Sequence, residues 1–186
     1  ALQGNLIPLY KEIPADLDTP VSTFLKIQSG KNDFLLESVV GGEKWGRFSF
    51  LGTDPSMIIR CVSDDIEITR GHKKEKVSAQ GNPLQAIQNL LSEYRVVPVE
   101  GLPRFSGGLV GFFGYDMVRT FEKIPSTAVD EMKVPQACLM LADTLVVFDN
   151  FRQVMQVVVN LHVRSESNLE EVYKEGLHKI ERLIQK

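Results

Sequence analysis

The sequence predicts an α+β fold with antiparallel sheet, and two patterns lead to it. Short apolar or alternating runs are separated by tight-turn residues, as in hairpins, not by long crossovers. Three segments carry helical periodicity behind a capping residue, and they are interleaved with the strands, so the helices would cover the outer faces of the sheet.

Taken in order, Leu6 to Tyr10 is a short apolar strand, placed at an edge because Pro8 cannot donate to a ladder. Thr19 caps a helix with Pro20 at its first position; Val21, Phe24, Leu25 and Gln28 follow at helical spacing and Gly30 stops it. Phe34-Leu35-Leu36 reads as a buried strand that runs out through Glu37 and Ser38. The loop from Val39 to Gly46 holds the only tryptophan, Trp45. In the next strand Phe48, Phe50 and Gly52 point one way, and Arg47, Ser49 and Leu51 the other. Ser56 to Val62 and Ile66 to Thr69 are strands around Asp64-Asp65; Arg70-Gly71-His72 turns again and Glu75 to Ala79 adds a further strand.

Asn82-Pro83 is the clearest helix start, with Leu84, Ile87, Leu90 and Leu91 as the apolar face and an end near Tyr94. Phe105 to Asp116 is rich in glycine, but Leu, Val and Phe intervene and no lysine follows, which argues against a phosphate loop. A strand whose glycines admit a neighbouring backbone fits better. Asp116 to Phe121 forms a short helix, and Ala137 to Phe148 and Val154 to Val163 are long strands joined at Asp149-Asn150. Val157, Val159, Leu161 and Val163 share one face of the second strand. His162 shares the other with Gln156, Val158 and Asn160, as a sheet-surface histidine and not a ligand. Ser167 or Asn168 caps the last helix, whose stripe is Leu169, Val172, Tyr173, Leu177, Ile180 and Ile184.

A length of 186 residues predicts one domain spanning 1–186, long enough to bury about 70% of its unfolded surface. The net charge of −3 leaves no global footprint for nucleic acid. The one basic cluster, Arg70, His72, Lys73, Lys74 and Lys76, is interrupted by Glu75 and reads as a solvated hairpin. No run reaches the roughly 18 to 20 apolar residues of a membrane span and no signal segment is present, so the expectation is a cytoplasmic protein with no membrane partner. The start at Ala1 without methionine points to an excised piece of a longer protein.

Cys61 and Cys138 sit in apolar strands without metal-ligand spacing, and the sequence holds no Ser-His-Asp elbow, HExxH or CxxC. No catalytic residue, metal site or cofactor is expected in this chain. If the Phe34 and Arg47 strands are adjacent, Glu37, Ser38 and Ser49 meet at one sheet end beside Phe48, a mostly apolar site with a few polar groups. The alternative is a plain strand running out into a hairpin loop.

Three motifs in this order, LLES at 35–38, GRFSFLG at 46–52 and GGLVGFFGYD at 107–116, resemble the N-terminal domain of anthranilate synthase component I, a chorismate-utilising enzyme family. The resemblance covers nearly the whole chain. It implies antiparallel sheets packed roughly orthogonally with flanking helices, as half of the family's fold. In the full-length lyase it implies conversion of chorismate and glutamine-derived ammonia to anthranilate, in tryptophan biosynthesis. The catalytic groups and a Mg2+ site would lie in a C-terminal chorismate-binding domain, leaving this chain inactive alone. Its partners would be that domain of the same chain and a glutamine amidotransferase subunit.

For this chain the resemblance implies the tryptophan feedback site. Leu36 and Phe48 would pack the indole, and Ser38 with Glu37 would meet the head group. Ser49 lies on the second strand, and Cys138 would approach from a later one. Gly107, Gly108, Gly111, Tyr115 and Asp116 would lie at the domain junction. Two alternatives stay open: the corresponding half of the aminodeoxychorismate synthase component of the folate pathway, and a non-catalytic interaction domain.

Overall fold

The computed structural model describes residues 4–37, 46–125, 127 and 129–186. In chain order its elements are β1 (Leu6–Pro14), α1 (Pro20–Ile27), β2 (Phe34–Leu36), β3 (Phe48–Gly52), β4 (Ile58–Val62), β5 (Asp65–Arg70) and β6 (Lys73–Ser78). There follow α2 (Pro83–Ser92), β7 (Gly108–Phe113), a 3₁₀ helix (Tyr115–Thr120), β8 (Ala137–Ala142), β9 (Thr144–Asp149), β10 (Val154–His162) and α3 (Leu169–Ile184). Two antiparallel sheets with flanking helices result, the α+β class the sequence predicts. Tertiary contacts divide the chain into two compact units.

The first unit gathers Ala1–Pro55, Tyr94–Gly108 and Ala142–Lys186 around a sheet of order β1-β10-β9-β3-β2. Proline at position 8 sits on the edge strand, as its missing donor requires. One face of the sheet buries Leu51, Val146, Phe148, Val157 and Val159 against Phe24 and Ile27 of α1 and Ile180 and Leu183 of α3. Thr19 and Ser22 cap α1 reciprocally, with bonds of 2.9 and 3.1 Å. At Gly176 the last helix comes so near the sheet that a Cβ would stand 2.7 Å from Leu161 Cδ2.

Both helix stripes differ from the expectation. In α1 the buried positions are Thr23 and Ile27, with Val21 and Leu25 exposed; in α3 they are Gly176 and Ile180, with Leu169 and Tyr173 exposed. Each helix carries more apolar residues than one face can hold, so spacing alone does not select the face that meets the sheet.

The second unit, Ser56–Glu93 and Leu109–Leu141, has a sheet of order β6-β5-β4-β8-β7. Alternation places Ile59, Cys61, Ile66, Ile68 and Leu139 inside, and Ile87 of α2 is buried in the same unit. Asn82 Oδ1 accepts from Gln85 N–H at 3.0 Å, the cap expected before Pro83. The predicted continuous strand Ala137 to Phe148 is instead two strands in different sheets, β8 beside β4 and β9 beside β3 and β10. Two apolar runs parted only by Asp143-Thr144 carry no local mark of such a change. Among the described residues no helix is long and apolar enough to cross a membrane.

Candidate functional site

The site starts from Asp33, which fixes the approach to β2. Its carboxylate accepts from Ser29 and Gly30 N–H at 2.8 Å each and from Thr53 Oγ1 at 2.8 Å. Burial pushes this carboxyl up, but the hydrogen bonds outweigh it and hold its pKa below the usual range. β2 then pairs with β3 so that Phe34 faces Gly52, Leu35 faces Leu51 and Leu36 faces Phe50. A Cβ at Gly52 would collide with the Phe34 ring, so glycine there lets that ring lie across β3.

Alternation puts Phe34, Leu36, Phe48 and Phe50 on the face opposite the helices. On that side Leu145, Val147 and Val158 form a second, smaller core with Tyr10, Phe48, Phe50, Leu102 and Phe105. Its cover is the strap Glu100–Ser106, fastened to the sheet by side chains. Tyr10 Oη donates to the Glu100 carbonyl at 3.3 Å, Gln156 Nε2 to Gly101 at 2.9 Å and Asn160 Nδ2 to Ser106 at 2.7 Å. Gln156 and Asn160 are 3% and 7% exposed, so the sheet surface expected around them is interior. At Gly107, where the strap ends, a Cβ would stand 2.5 Å from Asn160 Nδ2. His162 is half-buried against the Tyr94 ring, 4.7 Å between centroids.

At the end of β3 the Arg47 guanidinium grips Asp149, whose side chain is only 4% exposed. Nε reaches the two carboxylate oxygens at 3.0 and 3.1 Å and an Nη reaches one at 2.5 Å. Arg47 also lies 4.8 Å from the centroid of the Phe48 ring. Burial pushes the Asp149 carboxyl up, but Arg47 and the Arg152 and Phe151 N–H groups hold it below the usual range. Beside it Arg152 and Gln156 both donate to Glu12, so β1, β3, β9 and β10 are tied at one end.

The sequence-based site residues are only partly brought together. Leu36, 45% exposed, and Phe48 share the strap-side face, and Glu37 follows β2 and is exposed. Ser49 does not join them: it is fully buried on the helix side, where its Oγ accepts from Asn150 Nδ2 at 3.1 Å. Neighbours on a strand face opposite ways, so Phe48 and Ser49 cannot line one wall. Ser38, like Trp45, lies outside the described residues. Cys138 belongs to the second unit, on β8. Phe50, the direct partner of Leu36, is the residue the sequence reading left out, although alternation had already put it beside Phe48.

Of the residues expected at a junction, Gly107 packs on Asn160 and Gly108 opens β7, an edge strand. A Cβ at Gly111 would collide with the Cys138 carbonyl, so glycine here admits the adjoining strand. Tyr115 is 89% exposed and Asp116 pairs with Arg119 at 2.9 Å. A groove of about 400 Å³ between α2 and β5–β6 contains none of these residues. Among the described residues no cluster of His, Cys, Asp or Glu could hold a metal ion.

No protein-family model matches the chain. Curated relatives do: it is 36% identical over 176 residues to anthranilate synthase component 1 of Acetivibrio thermocellus, covering 95% of this chain and 35% of that one. The protein of the same name from Pseudomonas aeruginosa is 40% identical over 185 residues, covering 98% and 37%. Nearly the whole of this chain is thus homologous to a part of anthranilate synthase component 1. It spans about a third of the length of the component 1 relatives it matches. The fold agrees with a solved component I from Streptococcus pneumoniae, at a TM-score of 0.55 and 22% identity, covering 92% of this chain and 36% of that one.

Proposed function

We propose that this chain is the regulatory, non-catalytic part of an anthranilate synthase component 1, and that Leu36 and Phe48, with Phe50, form one wall of its tryptophan site. The observation that carries this is the open apolar surface at the β2–β3 edge, where Leu36 stays 45% exposed opposite Phe50. Glu37, exposed at the end of β2, is the group for the amino acid's charged head, with Ser38 following it in sequence. Arg47, locked to Asp149, fixes the Phe48 ring from the side.

The complete subunit would turn chorismate and glutamine-derived ammonia into anthranilate, with the catalytic groups, and the magnesium ion they require, in a chorismate-binding part outside this chain. A glutamine amidotransferase would supply the ammonia. Exposed Phe112, Phe113 and Tyr115, on β7 and just after it, are the apolar surface suited to docking the remainder of the subunit.

A single wall holds tryptophan poorly. Burying an indole removes roughly 150 to 250 Å² from water, on the order of 4 to 6 kcal/mol, of which one wall gives about half. Association costs about 4 kcal/mol or more, so the isolated chain is expected not to bind micromolar tryptophan. The reading is tested in the complete subunit. Phe48→Ala is expected to raise the tryptophan concentration for half-inhibition by about tenfold, referred to each variant's own turnover without tryptophan. Unchanged sensitivity overturns the placement of the site.

A further inference from the structure

Phe48 does not stand alone on its face. Its ring centroid lies 6.2 Å from that of Phe50 at an interplanar angle of 37°, and Phe50 meets Phe105 at 5.2 Å and 86°, an edge-to-face contact. Phe105 lies in the strap Glu100–Ser106. Gln156 and Asn160 hold that strap at Gly101 and Ser106, so the backbone that carries Phe105 is fastened on either side of it by buried amides.

We propose that Phe105, acting through Phe50, is a positioning residue of the tryptophan wall. It sets the plane in which the Phe50 and Phe48 rings are offered to an indole, and so governs affinity and the preference for indole over a smaller ring. Phe105 itself does not touch the ligand. The chain of contacts rests on the reading of Leu36 and Phe48 as that wall, and it adds a second element, the strap, to what decides binding. Without the edge of Phe105 the Phe50 ring is free to turn toward the space left behind, and the wall loses its fixed tilt. Leucine at 105 keeps most of the apolar volume and removes the ring edge; tyrosine keeps the edge.

The test uses the complete subunit and calorimetric titration with tryptophan and with phenylalanine. Phe105→Leu is expected to weaken tryptophan binding about 3- to 10-fold and to lower the tryptophan-to-phenylalanine preference, whereas Phe105→Tyr stays within about twofold of the parent. A purely structural role would lower thermal stability and leave the preference between the two ligands where it was. Unchanged affinity and preference in Phe105→Leu overturn the proposal. If that variant does not fold, Phe50→Leu reads the same contact from the other ring, and parent-like affinity and preference there overturn it equally. Phe48→Ala separates the two levels. If it weakens binding while Phe105→Leu does not, the wall stands and the strap's role falls; if Phe48→Ala also binds as the parent does, the wall itself is misplaced.

Discussion

One face of the first sheet is covered by α1 and α3 through Leu51, Val146, Phe148, Val157 and Ile180, with apolar side chains on both sides of the contact. The opposite face is covered by an irregular strap whose carbonyls are held by Gln156, Asn160 and Tyr10 and whose apolar contribution is Leu102 and Phe105. The helix face is closed, and its few polar groups, such as Ser49, are satisfied internally. The strap face thins toward β2, where Leu36 and the Phe48–Phe50 rings form an apolar edge. In the proposed function the difference separates stability from recognition: one face holds the unit together, and the other would keep a shaped surface in place for a ligand.

The sharpest way to break that contrast is to empty the helix face. Phe148→Ala removes a ring that is 2% exposed and is expected to cost about 3 to 5 kcal/mol in chemical denaturation. A loss under about 1 kcal/mol would mean that the helices do not carry the stability of this unit.

The strap face should respond more mildly and more locally. Asn160→Leu leaves the Ser106 carbonyl without its donor, at an expected cost of about 1 to 3 kcal/mol. It should also speed proteolysis within residues 100–106. Unchanged proteolysis would show that Leu102 and Phe105 hold the strap without the amides.

Local chemistry made much of this legible in the sequence. Thr19-Pro20 and Asn82-Pro83 mark helix starts because a cap acts within three residues, and alternation put Phe48 and Phe50 on one side because the period of a strand is two. The strap was not legible. Gln156 and Asn160 reach Gly101 and Ser106 across 55 and 54 residues of sequence, and an amide at either position looks like any residue on a solvated face. The break at Asp143 was hidden for a related reason, since β8 and β9 are equally apolar and only their partners differ. Ser49 was drawn into the site by its motif, although the same alternation that gave Phe48 its face turned Ser49 away.

A smaller effect is expected where the two faces meet, at the Arg47–Asp149 pair. The folded pKa of Asp149 lies below that of an unfolded aspartate, near 4. Its contribution is therefore fully present above about pH 4 and is lost as the pH falls through the folded value. Asp149→Asn is expected to destabilise by about 1 to 2 kcal/mol at pH 7, and by progressively less in acid. Parallel stability curves for parent and variant from pH 7 to pH 2 would contradict the assignment.

The most direct test is where tryptophan slows backbone hydrogen exchange in the complete subunit. With saturating tryptophan, exchange is expected to slow in β2 and β3, residues 34–36 and 48–52, and in the strap 100–106, with β4 and β5 at residues 58–70 unchanged. Protection confined to β4 and β5, or an unchanged β2–β3 pair while tryptophan still inhibits, would contradict a tryptophan wall on the strap face.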